Sequence, residues 1–253
     1  MSQRQKRTSV ALLLTILITG LSAFTWMTVS GPGSRTAQAQ SQSFVMNARA
    51  IHSALRRVGL TPEALAAVGA SAQSAGTVAA NAGEFLQENG AALAAADEAC
   101  AAHAANERPL TRRIRAGLGS EQEVSARSAA SQQLAAANAV RERLLDDLFE
   151  AATAGCTSGQ CAALRNIRAA GATGPMIPLA VHARSEADWG ALREAEAVRR
   201  HAAQSGETPD AQAVYPLTLA ESDQSVSAAM TNMGNNAAAI DAALTAAASS
   251  AAE

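Results

Sequence analysis

Along most of this chain apolar residues recur three and four positions apart, and nowhere does period-two alternation persist. That pattern predicts helices and no strands. A short helix is expected over 46–58, stopped by Gly59. Leu60-Thr61-Pro62-Glu63 then opens a long one. Thr61 is placed to cap it, Pro62 sits where a missing N–H costs nothing, and Leu60 and Leu65 form a hydrophobic staple. The pattern carries this helix to about Asn106.

A heptad runs inside it. With Leu65 as position a, the a residues are Leu65, Ala72, Ala79, Leu86, Leu93 and Cys100. The d residues are Val68, Ala75, Ala82, Asn89, Ala96 and His103. The e positions read Gly69, Gly76, Gly83 and Gly90. A helical glycine costs roughly 1 kcal/mol relative to alanine, so four in register need a compensating contact. A stripe without Cβ atoms lets a neighbouring backbone approach closely, and the four glycines are read as such a seam.

Residues 106–119, with Pro109 and Arg108, Arg112, Arg113 and Arg115, read as a connector. Ser120-x-x-Glu123 is a capping box that opens a helix over about 120–154, with Leu134, Ala137, Arg141, Leu144, Leu148 and Ala151 on one stripe. Thr157-x-x-Gln160 is another, starting a helix to about Ala170. Gly171 to Pro178 reads as a loop, and 171–184 as a sub-boundary. Ser185-x-x-Asp188 starts a helix to about Ser205, with Trp189 and Leu192 inward. A proline-punctuated connector over 206–217 leads to a last helix, about 218–250. Its stripe is Val226, Met230, Met233, Ala237, Ile240, Leu244 and Ala247. The fold class that follows is all-α: long antiparallel Ala-rich helices, bundle or coiled-coil-like, forming one elongated domain over 40–253.

Composition sharpens this. Of 253 residues, 65 are alanine, and aromatics are 3%. An aromatic-rich β core is excluded. Residues 1–9 carry Arg4, Lys6 and Arg7 without an acid, and Val10 to Val29 hold no charge. A basic flank followed by an apolar run is an export signal, and its length fits a cleaved signal peptide or a retained membrane anchor. Ala37-Gln38-Ala39 is a cleavage pattern, so 1–39 are assigned to signal or anchor and tether. The positive flank stays inside, which puts the remainder in the periplasm or envelope, with membrane association through residues 10–29. Residues 40–253 hold 16 basic and 22 acidic groups. That acidic balance argues against a nucleic-acid partner.

Lys6 is the only lysine, which excludes a Walker A site, Schiff-base chemistry and an S-x-x-K acylase in the exported part. No G-x-S-x-G, G-x-G-x-x-G, H-E-x-x-H or EF-hand loop occurs. No cofactor is expected, and an enzyme is the least favoured class. Three cysteines remain. Cys156 and Cys161 fall at N′ and N4 around Thr157, the two staple positions, so in an oxidising compartment they are a candidate disulfide. Cys100-x-x-His103 puts a thiol and an imidazole one helical turn apart. With Cys156 and Cys161 they are candidate metal ligands, against the plainer reading of seam residues. The arginine cluster at 108–115 is either a solvated connector or a surface for anionic headgroups or acidic clients.

Leu60-Thr61-Pro62-Glu63-Ala64-Leu65 and the run Cys156-Thr157-Ser158-Gly159-Gln160-Cys161, continuing Ala162-Ala163-Leu164-Arg165-Asn166-Ile167, resemble the LTxxQ motif. That motif marks small helical periplasmic proteins of the Spy/CpxP chaperone and heavy-metal-resistance type, which carry two copies at helix starts. Here Ala64 stands where the first copy has Gln, and Cys156 where the second has Leu. The resemblance implies an exported helical protein that binds unfolded clients or a sensor partner, or responds to metal.

The leading expectation is therefore a non-enzymatic exported protein that binds protein clients or a sensor partner, alone or as a homodimer. The alternatives are a structural tethering coiled-coil module of the envelope and a metal-binding or metal-sensing protein.

Overall fold

The structure, a computed structural model, describes residues 45–183, 185–206 and 223–252. The signal or anchor segment, the 206–217 connector beyond Gly206 and the first residues of the last helix lie outside the described residues. Among those described there are helices and no strands. In chain order they are α1 (Ala48–Arg57), α2 (Pro62–Ala67), α3 (Ala72–Arg115), α4 (Glu121–Ala152), α5 (Ser158–Ala170), α6 (Ile177–Val181), α7 (Glu186–Ser205) and α8 (Asp223–Ser250), with single 3-10 turns at Thr153–Gly155 and Gly174–Met176.

The capping chemistry read from the sequence holds. Thr61 accepts from the Ala64 N–H, and Ser120/Glu123, Thr157/Gln160 and Ser185/Asp188 all form reciprocal capping boxes. The heptad holds as well from Ala75 to Cys100: Ala75, Ala79, Ala82, Leu86, Leu93, Ala96 and Cys100 are all buried.

The long helix is not continuous from Pro62. α2 ends at Ala67, and the Gly69 N–H bonds to Ala66 O and the Ala70 N–H to Leu65 O, the doubled closure of a Schellman end. Gly69 carries φ +70°. It is a helix stop, not a seam glycine, and Ser71 recaps the chain two residues later by accepting from the Ser74 N–H.

Further along, a close approach of the kind expected of the seam is found at Gly83 and not at Gly76. A Cβ on Gly83 would lie 2.7 Å from Ala251 Cβ and 3.3 Å from Ile51 Cδ1, whereas one on Gly76 would meet Ala247 Cβ at an ordinary 3.9 Å. Gly90 is buried. The neighbour is α8: Asn232, Ala247 and Ala251 lie beside Gly69, Gly76 and Gly83 in that order, so α8 runs in the same sense as α3. α3 and α4, joined by a short turn, are antiparallel as expected. On α8 the inward set is Val226, Ala229, Ile240, Leu244 and Ala248, with Met230 turned out.

Residues 106–115 are helix, not connector, although Pro109 lies inside α3. An interior proline removes a backbone hydrogen bond and costs about 3 kcal/mol in isolation. Here α4 holds the segment in place. Arg113 Nε meets Glu123 Oε1 at 2.7 Å, and Arg127 Nε reaches Thr111 Oγ1 at 3.0 Å and Glu107 Oε1 at 3.4 Å. The Thr111 hydroxyl and Arg127 hold the Glu107 carboxyl below its ordinary range. The Ser120 N–H and Arg113 do the same for Glu123.

The core lies at the other end. α1, α2, the first half of α3, the second half of α4, α5, α6 and α8 bury Ile51, Leu55, Leu65, Leu86, Leu148, Phe149, Leu164 and Ile167 to 2% exposure or less. The loop expected over Gly171 to Pro178 gives way at Ile177 to α6, in which Ile177, Pro178, Leu179 and Ala180 are all buried. Met176 to Ala180 and Ala183 thus belong to the core, and no boundary between compact units falls at 171–183. Beyond the core, α3 and α4 continue as a two-helix arm. Between Ala101 and Val140 Ala130 alone is buried.

Candidate protein-binding cleft

The second motif copy meets the end of the helix that the first begins, almost a hundred residues away in sequence. Thr157 caps α5, and Gln160 closes the box by accepting the Thr157 N–H on Oε1 at 3.1 Å. Its amide nitrogen then donates to Gly69 O at 3.3 Å and Val68 O at 3.5 Å, the carbonyls that end α2. Gln160 thus couples the start of α5 to the end of the helix that Thr61 begins. The helix stop at Gly69, missed in the sequence, is what exposes those carbonyls to it.

A cleft of about 280 Å³ opens at this junction. Ala67 and Val68 form one wall, Gly159, Gln160 and Ala163 a second, Val181 and His182 a third, and Ala228, Ala229 and Asn232 of α8 the last. The lining is small and apolar apart from Gln160, His182 and Asn232. Mostly apolar walls with a few convergent polar groups are the usual composition of a binding site. His182 Nε2 is buried and has no hydrogen-bond partner; so too are His103 Nδ1 and Trp189 Nε1. Of these three residues only His182 lines the cleft.

The cysteines do not pair. All three are free thiols, and the disulfide expected between Cys156 and Cys161 is not formed. Cys161 Sγ instead donates to Thr153 O at 3.5 Å and Cys156 O at 3.8 Å, so the thiol serves carbonyls of the turn before α5. Burial, and then the neighbouring Cys161, push the Cys156 thiol above its ordinary value. A raised thiol is a poor nucleophile and a poor metal ligand. Cys100 is buried in α3, as its heptad position required. Nor do Cys100, His103, Cys156 and Cys161 assemble: among the described residues no group of three or more His, Cys, Asp or Glu is placed to hold a metal ion. The cleft itself was not read from the sequence, because two of its walls come from α6 and α8.

Gln160→Ala removes the back-bond of the capping box and both bridges to α2. A stability loss of about 1 kcal/mol is expected. Gln160→Glu keeps the acceptor but sets a carboxylate against two carbonyls, so it should not restore the parent value. Urea unfolding of the three proteins checks this, and an alanine variant as stable as the parent would remove the bridge from the account.

Compared with protein families, curated proteins and solved structures, the chain matches none of them. The likeness to LTxxQ proteins therefore stands on the quoted residues alone. Among the described residues no helix is long and apolar enough to cross a membrane.

Proposed function

We propose that this chain is an exported, non-enzymatic helical protein that binds other proteins, taking a short apolar segment of a client or sensor partner into the cleft between α2, α5, α6 and α8. The observation that carries the reading is the apolar-walled opening where the second motif copy meets the end of α2, with Gln160 bonded to the carbonyls of Val68 and Gly69 there. The small side chains of Ala67, Ala163, Ala228 and Ala229 leave room for a client's aliphatic group. Gln160, His182 and Asn232 can meet its backbone polar groups, which otherwise lose hydrogen bonds on leaving water. The basic, then uncharged N-terminus supports placement outside the cytoplasm. An LTxxQ-like protein of the chaperone type fits these features. Metal sensing finds no support in the positions of Cys100, His103, Cys156 and Cys161. The tethering reading draws on a different observation, the long α3–α4 arm.

The test is suppression of aggregation of a reduced, unfolded lysozyme by the purified chain. Ala228 is exposed on the rim, so Ala228→Trp fills the opening from outside without disturbing the core. Suppression by the parent, and its loss in the variant at unchanged melting temperature, is the expected result. No suppression by the parent removes the client-binding reading, and equal suppression by both proteins moves the binding away from the cleft.

A further inference from the structure

The arm ends in a turn that is built with care for something exposed. The Gly117 N–H bonds to Ile114 O and the Leu118 N–H to Arg113 O, with Gly117 at φ +72°. A Cβ on Gly119 would lie 2.7 Å from Ile114 Cγ1, so the chain doubles back tightly there. The Ser120–Glu123 capping box follows at once, and Arg113 spans the turn to Glu123. A turn fixed this fully holds Leu118 outward, 68% exposed, with Val124 at 50% six residues on. Exposed large apolar side chains are few among the described residues, and two of them share this tip.

The charge at the tip is of opposite sign to that of the following chain. Residues 101–140 carry five arginines against three glutamates, whereas 141–253 carry eight arginines against fourteen acids. Arg113 and Arg127 are held in ion pairs with Glu123 and Glu107. Arg108, Arg112 and Arg115 are exposed and make no ion pair among the described residues, although the Arg115 charge is felt at Glu107. Their spacing of four and three places them on one face of α3. From Ala101 to Arg115 the helix rises about 21 Å, which carries this group well clear of the core.

We infer that the tip of the α3–α4 hairpin docks on an anionic lipid bilayer, Leu118 and Val124 entering the interface while Arg108, Arg112 and Arg115 lie against lipid phosphates. A convex point with two aliphatic side chains and a rim of guanidinium groups suits a deformable interface. A folded protein partner would have to supply a matching pocket. Guanidinium groups pair phosphates in a two-pronged geometry. The same chain also carries the uncharged run Val10 to Val29, long enough for a bilayer. This inference is independent of the cleft.

Hydrogen–deuterium exchange of the full chain, mixed with phosphatidylglycerol vesicles or with phosphatidylcholine vesicles, reads the tip separately from any contribution of the N-terminus. Exchange over residues 108–124 is expected to slow by about fivefold or more with the anionic lipid alone, while residues 72–100 exchange equally in both. Leu118→Ser, and separately Arg108→Gln with Arg112→Gln and Arg115→Gln, should abolish the slowing; all four positions are exposed, so the fold is retained. Equal exchange in the two lipids overturns the inference. So does protection by polyglutamate without protection by phosphatidylglycerol, which would make the tip a site for an acidic protein. Protection that survives the arginine triple variant also overturns it.

Discussion

Gly83→Leu is expected to destabilise the fold by about 2–3 kcal/mol, although leucine is much the better helix former. The first added atom already meets Ala251 Cβ at 2.7 Å and Ile51 Cδ1 at 3.3 Å. Neither is the free end of a flexible side chain: one is a Cβ fixed to the backbone beyond α8, the other a buried isoleucine. The C-terminal turn must therefore move off α3, and with it the bond from Gln87 Nε2 to Ala251 O. Gly76 provides the internal contrast. Its nearest neighbour would stand 3.9 Å from a new Cβ, so Gly76→Ala should gain up to about 1 kcal/mol from helix propensity. Thermal melts of the two variants check both signs, and a Gly83→Leu protein as stable as the parent would mean that α8 does not press on this stripe.

The second large effect is expected at Phe149. It is 1% exposed, and the Arg168 guanidinium lies 5.2 Å from its ring centroid. Arg168 is in turn held by Asp146 at 2.6 Å. Phe149→Ala leaves a cavity where α4 meets α5 and removes the face on which Arg168 rests. A loss of about 3–5 kcal/mol is expected, most of it from the cavity. The cation–π contact and the exposed ion pair contribute about 1 kcal/mol or less each. Chemical denaturation of Phe149→Ala beside Arg168→Met separates the two, since the methionine keeps the apolar stem and removes the charge. A small Phe149 effect would show that this junction collapses without cost.

Helix starts were legible because their signals are local. The side chains of Ser120, Thr157 and Ser185 bond three residues along their own chain, and no tertiary contact is needed to place them. Gly69 was misread for a related reason. A glycine looks the same whether it lines a seam or ends a helix, and it happened to fall on the seven-residue spacing of Gly76, Gly83 and Gly90. The discriminating signal was Ser71, a capping residue two positions later. Pro109 misled in the other direction, since the local rule says stop and the partner helix α4 overrides it. α6 is too short for periodicity to show, and Pro178, with Pro175 just before the helix, reads as loop. The cleft depends on α8 meeting α2 across more than a hundred residues of sequence, a pairing that no local pattern encodes. The thiols followed their predicted positions without their predicted bond, Cys161 turning to a carbonyl instead.

The packing of α8 has a consequence for the order in which the chain can mature. It lies against α1, α2, α3 and α6, so helices made earlier depend for their cover on one made later. The α3–α4 hairpin can close early, being built from neighbours in sequence. The groove that receives Ile240, Leu244 and Ala248 cannot be filled until α8 itself has been made. A nascent chain of this protein therefore keeps that apolar groove open until α8 has emerged.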